Sequence, residues 1–325
     1  MTRVTVRIIT KSGDMPHFTC RNFFHSTELF QIIEKTPGQR PYMLIAEDGR
    51  GRVVAHMLAS IRRRGSLFPP YFFTQGRIYG EGEYTDETAK EAIFSEFLDR
   101  ITRLFKRKLC LFIEFSNISQ KMFGYRQFRD NHYFPVHWQE IHNSLHSLPP
   151  VERLPEKTRR RIEKATKCGL ETREIANEEE LKAFYKLLNG FYRMRMRRII
   201  PKIEQFKELY KSHNARIFIT LYKNKLVGGC ACAYSEGDAY LWYLASKRKS
   251  HPTLHSDTMT VWKAICHAYE HRYAHIRFLD VGLPFKGNPF RDFILSFGGK
   301  PVAKYRWFRI SIPWLNRLLS WWYAE

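Results

Sequence analysis

The sequence predicts an α/β protein with mixed α+β sheets, built as two similar domains. Three observations predict it. The order hairpin, strand, helix, buried strand occurs twice, about 170 residues apart. At 325 residues the chain exceeds what one hydrophobic core usually fills. Its 44% hydrophobic and 15% aromatic residues supply material for two cores. The domain bounds follow as residues 1–148 and 149–305, with an aromatic and basic tail at 306–325 that packs back on the first domain.

In the first copy, Thr2 to Ile9 alternates as a strand does, and Ser26 or Thr27 caps a helix from Glu28 to Lys35 that Pro37 and Gly38 stop. Tyr42 to Ala46 and Val53 to Ile61 form a hairpin around Glu47-Asp48-Gly49-Arg50-Gly51. A further strand, Tyr71 to Thr74, follows Pro69-Pro70. Ala89, Ala92, Ile93, Phe97, Ile101 and Leu104 recur at helical spacing over Asp86 to Phe105, and Leu109 to Phe115 reads as a strand buried on both faces. A short helix, Phe123 to Asn131, and a strand, Tyr133 to Ile141, close the copy.

The second copy begins after a helix, Glu178 to Arg198, and a shorter one, Glu204 to Tyr210. Ile217 to Tyr222 and Leu226 to Tyr234 make its hairpin, Ala239 to Ala245 its next strand, Asp257 to Tyr273 its helix and Ile276 to Val281 its buried strand. In the tail, Val302 to Ile312 reads as a strand. Leu315, Leu318, Leu319 and Trp322 make one face of a final helix that suits either protein packing or a membrane interface.

Lys and Arg total 54 against 32 Asp and Glu, a formal charge of +22, so an acidic partner is expected: nucleic acid, an anionic lipid surface or a phosphorylated small molecule. The six cysteines form no C-x-x-C pair and read as reduced residues of a cytoplasmic protein. No apolar stretch is long enough to span a membrane, so a peripheral contact at the inner face is the only membrane contact expected. No metal site is expected either, since His267, His271 and His275 share a helical face without a carboxylate cluster. Walker, G-x-S-x-G and zinc patterns are absent.

Between the copies, Leu154 to Leu170 reads as one short helix with Pro155 at its start and Gly169 past its end. Successive side chains turn about 100°, which puts Lys157, Arg160, Arg161 and Lys164 on one face. Four cations crowded there suit a phosphate or carboxylate, though a solvated face has the same composition. Glu114 stands at the exit of the buried strand Ile113-Glu114-Phe115-Ser116-Asn117, where open α/β sheets place ligands. It is a candidate to hold or deprotonate an amine, or else the partner of a nearby arginine. Asp280 occupies the matching place in the second copy.

The helical segment resembles the L-x-x-K-T-R-x-x-I-K-K-A-x-K-x-G-V signature of the Fem family of peptidyl- and aminoacyltransferases, acyltransferases with a tandem GNAT fold. Lys157, Thr158, Arg159, Ile162, Lys164, Ala165, Lys167 and Gly169 match; Glu163 and Leu170 depart. Phe278-Leu279-Asp280-Val281-Gly282 resembles the family's f-D-x-G exit strand. Pro289 to Gly299 resembles G-x-x-x-F-K-x-x-F-G-G through Phe293, Phe297, Gly298 and Gly299. Ile294 replaces the family lysine that steadies the leaving group or oxyanion; Arg291, one turn earlier, is the substitute expected. The glycine loop R/Q-x-x-G-x-G/A that holds acetyl-CoA phosphates has no counterpart in Lys247 to Ser256, where Ser256 is expected to cap the next helix.

The resemblance implies two tandem GNAT-like domains with bent mixed sheets flanked by helices. It also implies transfer of an acyl or aminoacyl group from acyl-CoA or aminoacyl-tRNA to an amine of a cell-envelope precursor, a muropeptide or amino sugar of peptidoglycan synthesis. Glu114, Asp280 and Arg291 are then the catalytic candidates. Lys157, Arg159, Arg160, Arg161, Lys164 and Asn117, extended by Arg195, Arg197 and Arg198, are the substrate and phosphate ligands. No permanently bound cofactor is expected. The alternative is a basic module without catalysis that holds nucleic acid, such as tRNA, or anionic lipid.

Overall fold

The computed structural model describes residues 4–67, 70–116, 123–146, 148–192, 200–247, 252–282 and 288–323. The chain forms two compact units, Met1–Trp138 with Lys304–Glu325, and Gln139–Ala303. The first unit thus takes in the tail, and the division falls ten residues before the 148/149 bound drawn from sequence.

In the first unit the strands are β1 (Thr5–Ile9), β2 (Gln39–Glu47), β3 (Val53–Leu67), β4 (Pro70–Tyr79), β5 (Glu83–Tyr84) and β6 (Phe112–Ser116). Its helices are α1 (Thr27–Glu34), α2 (Lys90–Arg107) and α3 (Tyr125–Asp130). β7 (Phe134–Ser144) begins in this unit and ends in the second. The sheet order is β1-β2-β3-β4-β6, then β13 (Lys300–Ile310) antiparallel to β6; β4 and β6 run parallel and β5 pairs with β3. Ser26 caps α1 by accepting from Leu29 N at 3.0 Å. On α2, Phe94, Phe97, Leu98, Ile101 and Phe105 are wholly buried against Leu44, Met57, Ile61 and Ile78 of the sheet. Each such side chain contributes about 2 kcal/mol of apolar burial. Gly76 of β4 permits this packing, because a Cβ there would lie 2.5 Å from the Phe105 ring.

Two expectations need correction. The strand read from Leu109 begins at Phe112; Leu109 sits in a turn at φ 52° with 82% of its surface exposed. The strand read as ending at Ile61 runs on to Leu67, because Arg62, Arg63 and Arg64 break the apolar pattern while the backbone pairing with β4 continues.

The second unit contains α4 (Glu156–Lys167), β8 (Leu170–Glu174), α5 (Glu178–Tyr192), α6 (Ile203–Lys211), β9 (Ala215–Tyr222), β10 (Lys225–Ser235), β11 (Asp238–Ser246), α7 (Ser256–Glu270), β12 (His275–Gly282) and α8 (Pro289–Leu295). Its sheet order is β7-β12-β11-β10-β9-β8, with β11 and β12 parallel. Ile141, Phe278, Leu241, Cys230 and Phe218 of the sheet form its core with Val261, Ile265 and Ile294 of the helices. α9 (Pro313–Trp322) closes the chain in the first unit.

The expected repeat of hairpin, strand, helix and strand is present: β2-β3-β4-α2-β6 in one unit and β9-β10-β11-α7-β12 in the other.

Candidate functional site

Strand alternation gives the first unit's sheet two unlike faces. Ile61, Gly76, Ile78, Ile113, Phe115 and Trp307 face the helices, while registers Arg62↔Gln75 and Arg77↔Glu114 line polar residues on the other side, with Phe308 opposite Glu114. Arg62, Gln75, Arg77, Glu114 and Arg306 are all at least nine-tenths buried there. Glu114 Oε1 takes an ion pair from Arg77 and a hydrogen bond from Arg306 Nη1 at 2.9 Å, and Oε2 accepts from Gln75 Nε2 at 2.9 Å. The Arg306 guanidinium lies 3.9 Å from the Trp138 ring centroid and that of Arg77 4.4 Å from the Tyr79 ring. Arg62 Nε is buried without a hydrogen-bond partner among the described residues.

Of the two roles expected of Glu114, the partner of a nearby arginine is the one this geometry shows. Its two oxygens are engaged by two guanidinium groups and an amide in charge-assisted hydrogen bonds. Its work is to hold Arg77 and Arg306 in place. Three buried guanidinium groups, those of Arg62, Arg77 and Arg306, share this face with Glu114. Guanidinium forks match phosphate and carboxylate oxygens, so the face suits an anion.

In the second unit the β11–β12 ladder runs from Asp238↔His275 to Leu241↔Phe278, whereas β11 continues to Ser246 and β12 to Gly282. Both strands bulge there. Cys232↔Leu241 is followed by Ala231↔Tyr243, so Trp242 is the extra residue on β11. Against β7, Ile141↔Phe278 is followed by Gln139↔Gly282, which sets residues 279–281 opposite Glu140. Paired bulges re-aim side chains and end pairing, as they do beside active sites. Asp280 stands in the second bulge, its side chain outside the described residues. Glu140 is 1% exposed, and its Oε2 lies 3.1 Å from His142 Nε2. Sequence reasoning singled out neither residue for the site, because only the register brings the pair to the bulge.

The remaining candidates divide. On α4, Thr158 and Ala165 are buried while Lys157, Arg159, Arg160 and Lys164 are exposed and Arg161 is half-buried, so the cationic face is the solvent face. Arg160 pairs with Glu156, and Arg159 donates to Val151 O at 3.3 Å. Thr158 Oγ1 donates to Ser296 O at 2.8 Å. A Cβ on Gly298, which has φ 83°, would lie 2.5 Å from Arg153 O, and one on Gly299 1.9 Å from Asn143 Oδ1. The two motifs that carry the resemblance are therefore joined by packing. Ile294 is wholly buried in the core; Arg291 is half-buried with its Nε unbonded among the described residues. Ser256 does not cap α7: it is the helix's first residue, its hydroxyl buried without a partner among the described residues, and His255 precedes it at φ 52°. Asn117, Arg195, Arg197 and Arg198 lie outside the described residues.

Cys20, His56 and Glu83 offer ligand atoms within 4.8 Å of one another. Glu83 Oε1 is occupied by the Cys20 thiol at 3.0 Å and the Asn22 amide at 2.6 Å, which tie the 20–22 loop to β5. The three histidines expected on one face do not converge: His267 Nδ1 lies 2.9 Å from Tyr234 Oη, His271 Nδ1 2.8 Å from His267 O, and His275, on β12 rather than α7, has its Nδ1 3.0 Å from Asp238.

The family profile of the acetyltransferase (GNAT) domain matches residues 153–287. No curated protein matches the chain by sequence. Among solved structures it is similar to FemX, at 12% identity over 92% of this chain and 94% of that one with a TM-score of 0.62. A tandem GNAT protein from the clavulanic acid biosynthesis pathway aligns at 9% identity over 95% and 99%, with a TM-score of 0.59. The C-terminal domain of a putative lysylphosphatidylglycerol synthetase from Agrobacterium fabrum aligns at 10% identity over 82% and 84%, with a TM-score of 0.54. The chain has the tandem GNAT fold, and the domain match over residues 153–287 makes it an acyltransferase.

Proposed function

We propose that the chain transfers an acyl or aminoacyl group from acyl-CoA or aminoacyl-tRNA to an amine of a phosphate-bearing cell-envelope precursor, a muropeptide or amino sugar. The observation that carries this reading is the buried cluster of Arg62, Arg77 and Arg306 beside Glu114. Arg62, Arg77 and Arg306 of the first unit match phosphate oxygens through their guanidinium forks. The names of two structural neighbours, FemX and a lysylphosphatidylglycerol synthetase, support an envelope acceptor.

The chemistry needs no protein nucleophile. A neutral amine attacks the donor's carbonyl carbon, the C–N bond forms, and the tetrahedral oxyanion collapses with loss of the thiolate or ribose oxygen. The amine's proton passes to a carboxylate at the β12 bulge, Asp280 or Glu140, and on to the leaving group. Arg291 steadies the oxyanion in place of the lysine that Ile294 replaces. The solvent-facing Lys157, Arg160, Arg161 and Lys164, extended by Arg195, Arg197 and Arg198, contact the donor's phosphates.

Mass spectrometry of amine acceptors after incubation with each donor tests the reading. One acyl or aminoacyl increment on an acceptor amine is expected. Unchanged acceptors across both donor classes, with the protein folded, would refute it.

A further inference from the structure

α9 is a helix with one side fastened and the other bare. Asn316 Oδ1 accepts from Ile310 N at 2.7 Å and its Nδ2 donates to His132 O at 3.0 Å, while the Tyr323 ring stacks on Phe134 at 5.8 Å. On the opposite side Trp314, Leu318, Trp321 and Trp322 follow at i, i+4, i+7 and i+8, and the three indoles are 67%, 73% and 72% exposed. Tryptophan is ordinarily among the more buried residues, so three exposed on one short helix form a surface that something covers.

The patch does not end at α9. Ser311, two residues before the helix, donates its N–H to Leu111 O at 2.9 Å and its hydroxyl to Cys110 O, which brings the turn after α2 alongside. Leu109 and Leu111 of that turn are exposed, and so are Lys106, Arg107 and Lys108 just before them. Leu109 holds a left-handed φ of 52°, a conformation that costs a leucine about 1 kcal/mol. Closing α2 needs no leucine, since Gly169 closes α4 in the same conformation at φ 80°. The apolar side chain is held out toward solvent at a cost that folding does not require.

We infer that α9 and the Leu109–Leu111 turn together dock the first unit on the surface of an anionic phospholipid bilayer. Indoles beside cations are the composition of the headgroup layer, where the ring enters the interface and the cation stays at the phosphates. α9 contains Arg317 and no acidic residue. Residues 106–111 contain three cations and no acid. The chain's +22 adds long-range attraction to an anionic leaflet. A second protein subunit would not select for three cations in a row beside the apolar surface, whereas a bilayer of phosphate headgroups does. α9, at ten residues, lies along the surface rather than across the membrane.

Cosedimentation of the full chain with vesicles tests this inference independently of any transferase activity. The chain should bind phosphatidylcholine vesicles containing phosphatidylglycerol, with indole emission shifting to the blue, and bind pure phosphatidylcholine far more weakly. Replacing Trp314, Trp321 and Trp322 by Ala should lower the partition coefficient by more than about tenfold. Leu109→Gly relieves the backbone strain and should still weaken binding several-fold, which separates loss of docking from loss of folding. Equal binding by the triple variant, or no binding to anionic vesicles at low salt, would overturn the inference. So would a wild-type dimer that the triple variant dissociates, since the patch would then be the contact between copies.

Discussion

Arg306 of β13 donates to Glu114 of β6 at 2.9 Å, across 192 residues of sequence, and Arg77 closes on the same carboxylate oxygen from β4. Glu114→Gln removes a carboxylate that pairs with both guanidinium groups. Unfolding by urea should show a loss of about 3 kcal/mol. Activity on saturating acceptor should fall far less than loss of a general base would require. A folded, fully stable variant with kcat down by orders of magnitude would restore the proton-handling role to Glu114.

Thr158 is a packing residue. Its hydroxyl satisfies Ser296 O at the end of α8, 138 residues away. Thr158→Val leaves that carbonyl without its donor and should destabilise the second unit by about 1 to 2 kcal/mol. Denaturation followed by tryptophan fluorescence checks this, and an unchanged midpoint would contradict it.

Glu140 faces the β12 bulge and pairs with His142. Glu140→Gln is expected to lower kcat by at least about tenfold with KM for the acceptor little changed, the pattern of a group that acts on the reacting proton. Steady-state kinetics with both substrates varied distinguishes this from a binding defect.

Burial, with the stacked His271 and nearby Arg216 and Lys263, pulls the His267 pKa down to about 4. Tyr234 of β10 and Phe218 of β9 pack on the ring from the sheet. The folded value lies below that of the unfolded chain, about 6.5, so the unfolded state takes up the proton first as pH falls. Stability from this group is full above about 6.5 and is lost progressively toward about 4. His267→Gln should flatten the pH dependence of the urea midpoint between those values; an identical slope in variant and wild type would contradict the assignment.

Much of the fold was legible because local pattern dictates it. The 3.6-residue spacing of Ile93, Phe97 and Ile101 made α2, and the glycine after Lys167 and Cys168 ended α4. What was not legible is set by partners distant in sequence. Arg62 reads as the end of an apolar run, yet it lies in mid-strand opposite Gln75 on a face where cations are buried. The bulges at Trp242 and at 279–281 arise from register with β10 and β7, and no single segment encodes them. On α4 the periodicity correctly gathered the cations on one side, but periodicity cannot tell which side meets solvent; Thr158 and Ala165 decide it. Leu109 misled because an exposed leucine in a left-handed turn looks, in sequence, like the first residue of a buried strand.

Buried arginine is proposed to recognise the acceptor's phosphate during acyl transfer. The most direct test compares kcat/KM on matched amine acceptors with and without that phosphate, for wild type and Arg62→Met. Wild type should prefer the phosphorylated acceptor by at least about a hundredfold, and Arg62→Met should lose most of that preference through KM while remaining as stable as wild type. Equal rates on the two acceptors, or an undiminished preference in the variant, would contradict the account.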